Sequence, residues 1–207
     1  MSTVEPSWDT SRRAFADAAG WFVATTGRVG DDWDGPGLGE WDLRALVGHT
    51  SRSLVTVETY LIRPADVVDV ASTVGYYEAT RTMTTGEAVT QRGRDAGTAL
   101  GDDPVGAVTA LADRVVALVD GLDGDRLLTT IVGGMRLADY LPTRTFELVV
   151  HTLDIAAARQ LEVVVPGTAA EAAWRVLGGL AVTGDRVGPL LLAATGRTGL
   201  PPGFSVL

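Results

Sequence analysis

Apolar side chains recur at intervals of three and four residues along four long stretches of the chain, the spacing that gathers them on one face of an α-helix. The four stretches cover residues 9–28, 42–64, 103–121 and 142–159. Asp42 and Asp103 stand where an N-cap residue is expected, and Pro104 suits a first helical turn. Asp139 and Pro142 mark the start of the fourth stretch in the same way. Four long amphipathic helices predict an all-α bundle.

The remaining segments are shorter and carry weaker patterns. Residues 64–101 are predicted to be partly helical. Residues 127–137 hold β-branched side chains around a Gly-Gly pair, which indicates either a small hairpin or an extended connector. Further helices are predicted over residues 169–180 and 188–195. The predicted fold class is therefore all-α, with short extra helices after the bundle.

The composition excludes several kinds of chemistry. The 207 residues include 17 basic and 26 acidic side chains, so the formal net charge is −9, and every basic residue is an arginine. An acidic chain without a basic cluster is poorly suited to bind nucleic acid or an anionic membrane surface. The absence of cysteine and lysine excludes disulfides, thiolate nucleophiles, cysteine-bound zinc and lysine Schiff bases. Small molecules or proteins remain as partners.

The sequence also gives no sign of a membrane segment. No apolar run approaches the roughly 20 residues that a membrane-spanning helix needs. The first residues lack the apolar core of a signal peptide. We therefore expect a cytoplasmic protein that does not enter a membrane.

The two histidines of the chain, His49 and His151, suggest a polar site inside the bundle. Glu147 and His151 are four residues apart, which places their side chains about 6 Å apart on one helical face, so that both could reach one cation. Arg144 and Asp154 extend the same polar stripe, and His49 on the second helix could supply a third ligand. Two other interpretations stay open, namely a hydrogen-bonded core histidine and a simple Glu–His pair on a helix surface.

Two segments resemble the mycothiol-dependent maleylpyruvate isomerase family, within the DinB-like superfamily. The segment from Trp41 to His49, WDLRALVGH, is similar to the family's opening motif W-x-V-R-D-L-x-x-H. The segment from Pro142 to Asp154, PTRTFELVVHTLD, resembles its second signature, T-R-x-x-E-x-x-x-H-x-x-D. Both motifs occur in the family's order and about a hundred residues apart.

The resemblance implies a DinB-like four-helix bundle over residues 7–160, followed by a short helical extension over residues 161–207 packed on it. It also implies a divalent cation, usually zinc, held by the residues that match the family's ligands, His49, Glu147 and His151. Mycothiol is the implied thiol cofactor or co-substrate. One departure is that the family's isomerase carries a C-terminal α/β domain, whereas the extension here is predicted to form short helices.

From this resemblance we expect a thiol-dependent metalloenzyme that adds an activated thiol to a small electrophile, as an isomerase or an S-transferase. Asp154 is expected to orient a ligand histidine, while Arg144 could pair with Glu147 or face an anionic substrate. Arginines of the middle segment are candidates for binding substrate or mycothiol, namely Arg81, Arg92 and Arg94.

Two alternatives and the oligomeric state stay open. One alternative is a metal- or small-ligand-binding module without turnover. The other is a metal-dependent hydrolase in which Glu147 acts as the base rather than as a ligand. A serine hydrolase is disfavoured because the chain has no G-x-S-x-G motif. The sequence is compatible with a monomer or a homodimer.

Overall fold

The described part of the chain, residues 6–83 and 86–207, forms eight helices and one small hairpin in this computed structural model. In chain order the elements are α1 (Trp8–Thr26), α2 (Leu43–Leu61), α3 (Thr73–Thr80), α4 (Glu87–Ala99), α5 (Pro104–Asp120), β1 (Leu127–Thr130), β2 (Gly133–Arg136), α6 (Leu137–Ala158), α7 (Gly167–Thr183) and α8 (Val187–Ala194). None of the helices in these described ranges is long and apolar enough to cross a membrane.

Four long helices, α1, α2, α5 and α6, enclose the main core. Helices α1 and α2 each pack against both α5 and α6, so the four form one bundle. Apolar side chains from all four helices are fully buried between them, among them Phe15, Phe22, Leu46, Leu54, Val108, Val115, Leu148 and Ile155. The predicted all-α bundle is confirmed, and its apolar faces are the ones that the three- and four-residue spacing indicated.

Helix α6 begins at Leu137, so the prediction that Asp139 and Pro142 open this helix was wrong. The amide of Leu137 donates to the carbonyl of Arg126 at 2.9 Å, and the Leu137 side chain is fully buried. This contact satisfies a backbone group at the helix start without a side-chain cap. Pro142 therefore lies inside α6, where its missing N–H removes one helical hydrogen bond.

The segment over residues 64–101 is partly helical, as predicted, and contains α3 and α4. Thr84 and Thr85 of this segment lie outside the described residues. Helix α4 packs closely on α2 because two glycines meet at their crossing: a Cβ at Gly48 would overlap the backbone of Gly97. This close approach brings α4 against the part of α2 that carries His49.

The hairpin and the C-terminal helices lie around the bundle. Strands β1 and β2 pair antiparallel, which settles the open choice for residues 127–137 in favour of a hairpin. Helix α7 packs on α6 and α1, and α8 packs on α7. Side chains of α7 join the same apolar core as the bundle, for example Val176 and Leu180. The division of the chain at residue 160 stays a prediction.

Candidate active site

The two histidines meet between α2 and α6. Their ring centroids lie 4.8 Å apart, with the rings nearly perpendicular at 84°. Glu147, one turn before His151 on α6, places its Oε2 3.3 Å from His151 Nε2. The Glu147 and His151 side chains are largely buried, with 21% and 15% of their surfaces exposed. The structure thus brings together the three residues that the sequence nominated as ligands.

His151 has a carboxylate at each ring nitrogen. Its Nδ1 lies 2.9 Å from Asp154 Oδ2, while its Nε2 faces Glu147. Burial alone lowers the pKa of His151, but the bonds and charges of Asp154 and Glu147 outweigh burial and raise the pKa to about 9. In the absence of a metal, His151 is therefore an imidazolium at neutral pH. Asp154 has the position expected of a group that fixes a ligand histidine through its other nitrogen.

Glu147 is held by a tyrosine that sequence analysis did not identify. The hydroxyl of Tyr77 on α3 lies 2.8 Å from Glu147 Oε1, to which it donates, and 3.2 Å from the carbonyl oxygen of Thr143. Burial alone raises the pKa of Glu147, but His151, Arg144 and Tyr77 together lower it to about 2. The carboxylate is thus ionised at neutral pH. Because α3 has only eight residues, its sequence gave no periodic signal that would place Tyr77 against α6.

Of the two histidines, His49 is the neutral one. Burial lowers its pKa to about 4, and the positive charge of His151 acts in the same direction. Its ring packs against the indole of Trp41, with centroids 4.4 Å apart. Its Nδ1 is buried and has no hydrogen-bond partner. A buried nitrogen without a partner is costly, so this atom is available to a ligand.

The three side chains fit a divalent cation in their chemistry. Two imidazoles and one carboxylate form a donor set that binds zinc and leaves room for a further ligand. Two donors at about 2.05 Å from a tetrahedral zinc ion are about 3.3 Å apart, and the Nε2–Oε2 distance between His151 and Glu147 is 3.3 Å. The buried, unpaired Nδ1 of His49 adds to this fit. However, no three His, Asp or Glu side chains in residues 6–83 and 86–207 are already arranged as a metal-binding group.

Arg144 lies beside this cluster and is packed between aromatic rings. Its Cζ lies 5.3 Å from the centroid of Tyr76 and 5.1 Å from that of Tyr140. Its Nε donates to Thr143 Oγ1 at 2.8 Å. Arg144 makes no ion pair with Glu147 among the described contacts, although its charge contributes to the lowered pKa of that carboxyl group. Arg144 thus acts on Glu147 electrostatically rather than by direct pairing.

The three other arginines nominated as substrate-binding lie on the surface. Arg81 follows α3 and is exposed. On α4, Arg92 lies 3.5 Å from the carbonyl of Met83, and Arg94 lies 3.7 Å from a carboxylate oxygen of Glu40. Their role in binding substrate stays a prediction.

A surface pocket of about 230 Å³ is lined in part by Trp41, whose ring also packs against His49. Its lining includes Leu38, Val89 and Thr90, and the carbonyl of Thr90 accepts a hydrogen bond of 2.9 Å from the Trp41 indole. A larger pocket of about 330 Å³ lies between α1 and α5, away from both histidines. Trp41 therefore both lines the smaller pocket and contacts the His49 ring.

Comparison with known families agrees with the helical bundle. A model of the mycothiol maleylpyruvate isomerase N-terminal domain matches residues 10–156, which include most of α1, all of α2 to α5 and the hairpin, and most of α6. The chain belongs to this family, and thereby to the DinB-like superfamily. No curated protein and no solved structure matches the chain. His49, Glu147, His151 and Asp154 all fall within the matched region.

Proposed function

We propose that the protein is a metalloenzyme that activates mycothiol for addition to a small electrophile, with isomerisation or S-transfer as the outcome. The observation that carries this proposal is the convergence of His49, Glu147 and His151 at one buried cluster. Membership in a family named for a mycothiol-dependent isomerase supports the thiol. The absence of cysteine from the chain is consistent with a sulfur nucleophile supplied from outside.

His49, Glu147 and His151 would hold the metal. A divalent cation there, with zinc the leading candidate, would keep a bound thiol in its thiolate form near neutral pH. Asp154 accepts the Nδ1–H of His151, which fixes the ring and leaves Nε2 as the donor atom. Tyr77 donates to Oε1 of Glu147 and so keeps Oε2 on the side of His151.

The surroundings of Glu147 favour a ligand over a general base. A base that works near pH 7 needs a pKa close to that value, whereas the pKa of Glu147 is lowered to about 2. This difference supports the thiol-dependent enzyme over a hydrolase in which Glu147 accepts a proton. A binding module without turnover would have the same cluster. Only a measurement of turnover separates such a module from an enzyme.

The proposal is tested by metal content and turnover in the same preparations. The wild-type protein, loaded with Zn²⁺ and freed of excess metal, is compared with His49→Ala and His151→Ala. Glu58→Gln is the control, because Glu58 forms an exposed ion pair with Arg114 away from the site. We expect about one zinc per wild-type and control chain, and a loss of most metal in the two histidine variants.

Mycothiol-dependent consumption of an electrophile such as maleylpyruvate is then measured with each protein. We expect turnover with wild type and Glu58→Gln, and none with the histidine variants. Wild-type protein without stoichiometric zinc would refute the metal site. Stoichiometric zinc with thiol binding but no turnover of any tested electrophile would identify a binding module instead.

A further inference from the structure

The three proposed metal ligands are held in different ways. Asp154 bonds to Nδ1 of His151, and Tyr77 donates to Oε1 of Glu147. His49 has no such partner: its Nδ1 is buried without a hydrogen bond, and no hydrogen bond or ion pair in the described part of the chain involves its ring. The orientation of His49 therefore depends on what packs against it.

Trp41 packs against the His49 ring. The two ring centroids lie 4.4 Å apart and the ring planes are inclined by 32°. The other ring beside His49 is that of His151, at 4.8 Å and nearly perpendicular, and it is itself a proposed ligand. Aromatic rings attract each other in such tilted and edge-on arrangements. Among the described residues, Trp41 thus supplies the aromatic contact of His49 from outside the set of ligands.

Both the side chain and the backbone of Trp41 are fixed. The indole Nε1 donates to the carbonyl of Thr90 on α4 at 2.9 Å. The α4 backbone at Gly93 lies directly against the same ring, because a Cβ at that position would be 2.6 Å from two indole atoms. In the loop before α2, the amide of Trp41 donates to the carbonyl of Leu38 at 3.0 Å, and its carbonyl accepts from the amide of Gly37 at 2.9 Å. A ring held in this way can restrict the ring that packs on it.

We propose that Trp41 is a positioning residue, whose indole holds the His49 ring in the orientation in which it binds the metal. This proposal rests on the proposed function for the presence of the metal. The ring packing of Trp41 takes the place of the hydrogen bond with which Asp154 orients His151. Helix α4 contributes to the metal site through Trp41, although none of its own side chains is among the proposed ligands.

Two measurements test this role, one in the metal-free protein and one with zinc. The chain has two histidines, so ¹³C-labelled histidine gives two sets of ring signals, which His49→Ala and His151→Ala assign. Carbon relaxation of the ring C–H bonds then measures the order of each ring separately. Zinc affinity is measured by competition with a chelator at one fixed pH, and circular dichroism shows whether each variant folds.

The variants are Trp41→Ala and Trp41→Phe. Trp174→Ala is the matched control, because 58% of Trp174 is exposed on α7 and it does not contact either histidine ring.

We expect Trp41→Ala to lower the order of the His49 ring and to leave that of His151 unchanged, because the two carboxylates that hold His151 stay in place. Zinc affinity should fall at least about tenfold, as for the loss of other groups that orient a metal ligand. Trp41→Phe keeps an aromatic face, so it should restore the order of His49 and hold zinc within about threefold of wild type. Trp174→Ala should change neither quantity.

A second substitution decides the matter if Trp41→Ala does not fold. Gly93→Ala keeps the indole but would place a Cβ 2.6 Å from it, while alanine favours the helix. It should therefore displace Trp41 and lower both the order of His49 and the zinc affinity. Gly178→Ala is its control and should lower neither, since nothing lies within 4 Å of the added Cβ.

Three results would overturn the proposal. They are an unchanged order of the His49 ring in the folded variant, a wild-type zinc affinity in that variant, and an equal loss in its control. The proposed function fails separately, if wild-type protein binds no zinc or shows no thiol-dependent turnover. The order of His49 is measured without metal, so it decides in either case whether Trp41 holds this ring.

Discussion

Binding of Zn²⁺ to the metal-free protein should release one proton, which comes from His151. The hydrogen-bonded carboxylates raise the pKa of this imidazole to about 9, whereas burial lowers the pKa of His49 to about 4. The pKa of Glu147 is lowered to about 2. At pH 6, Glu147 is therefore ionised and His49 neutral, so both are ready to bind a metal. Only His151 must lose a proton first, because a metal ligand must be a neutral imidazole.

The size of this effect follows from the pKa of His151. At pH 6 the group is three units below a pKa of about 9, so about 0.1% of the molecules hold a neutral His151, which weakens Zn²⁺ binding by about 4 kcal/mol. The affinity should consequently rise about tenfold per pH unit between pH 5.5 and 6.5. In this pH range a water molecule on bound zinc, with a pKa near 7, is still mostly protonated. It therefore adds little to the number of protons released when Zn²⁺ binds.

Calorimetric titration of Zn²⁺ in buffers of different ionisation enthalpy measures the number of protons released. We expect a value close to one for wild type at pH 6. Asp154→Asn removes the carboxylate that bonds to Nδ1 and should lower the pKa of His151, which reduces the pH dependence of the affinity. Release of no proton, or an affinity that is independent of pH, would refute the assigned charge of His151 or its role as a ligand.

Other substitutions test single contacts of the site and the fold. Glu147→Gln should lower zinc affinity at least hundredfold in a metal-competition assay, and retention of wild-type affinity would contradict its role as a ligand. Tyr77→Phe removes the hydrogen bond to Glu147 and should weaken zinc affinity by about tenfold without loss of helix content, which the same assay and circular dichroism check. Gly48→Ala places a Cβ against the backbone of α4 and should reduce the free energy of unfolding by about 1–3 kcal/mol in a denaturant titration. Gly178→Ala is its control, because nothing lies within 4 Å of the added Cβ, and it should stabilise α7 by about 0.5–1 kcal/mol. Equal effects of the two alanines would show that the crossing of α2 and α4 is looser than described.

The helical framework could be predicted from the sequence because helix caps and apolar periodicity depend only on residues that are close together in the chain. The caps at Asp42 and Asp103 accept backbone hydrogen bonds within their own first turns, at 2.7 and 2.9 Å. The apolar periodicity that follows each cap depends only on the geometry of a helix. The spacing of Glu147 and His151 is likewise local, so their contact could be anticipated.

The features that sequence analysis missed depend on contacts between distant parts of the chain. Tyr77 reaches Glu147 only because the short helix α3 packs on α6, 70 residues further along the chain. The start of α6 depends on the carbonyl of Arg126, which precedes the hairpin. The aromatic contacts of Arg144 come partly from α3 and partly from its own helix. No spacing within a single helix indicates such contacts.

In the proposed function, His49, Glu147 and His151 would hold a metal that binds the thiol directly. Protein loaded with one equivalent of Co²⁺ reports this contact, because a cobalt–thiolate bond gives a charge-transfer absorption band in the near ultraviolet. We expect the band to appear when mycothiol is added to the wild-type protein and to be absent with His49→Ala. A wild-type protein that holds stoichiometric cobalt and shows no such band on addition of mycothiol would contradict the account.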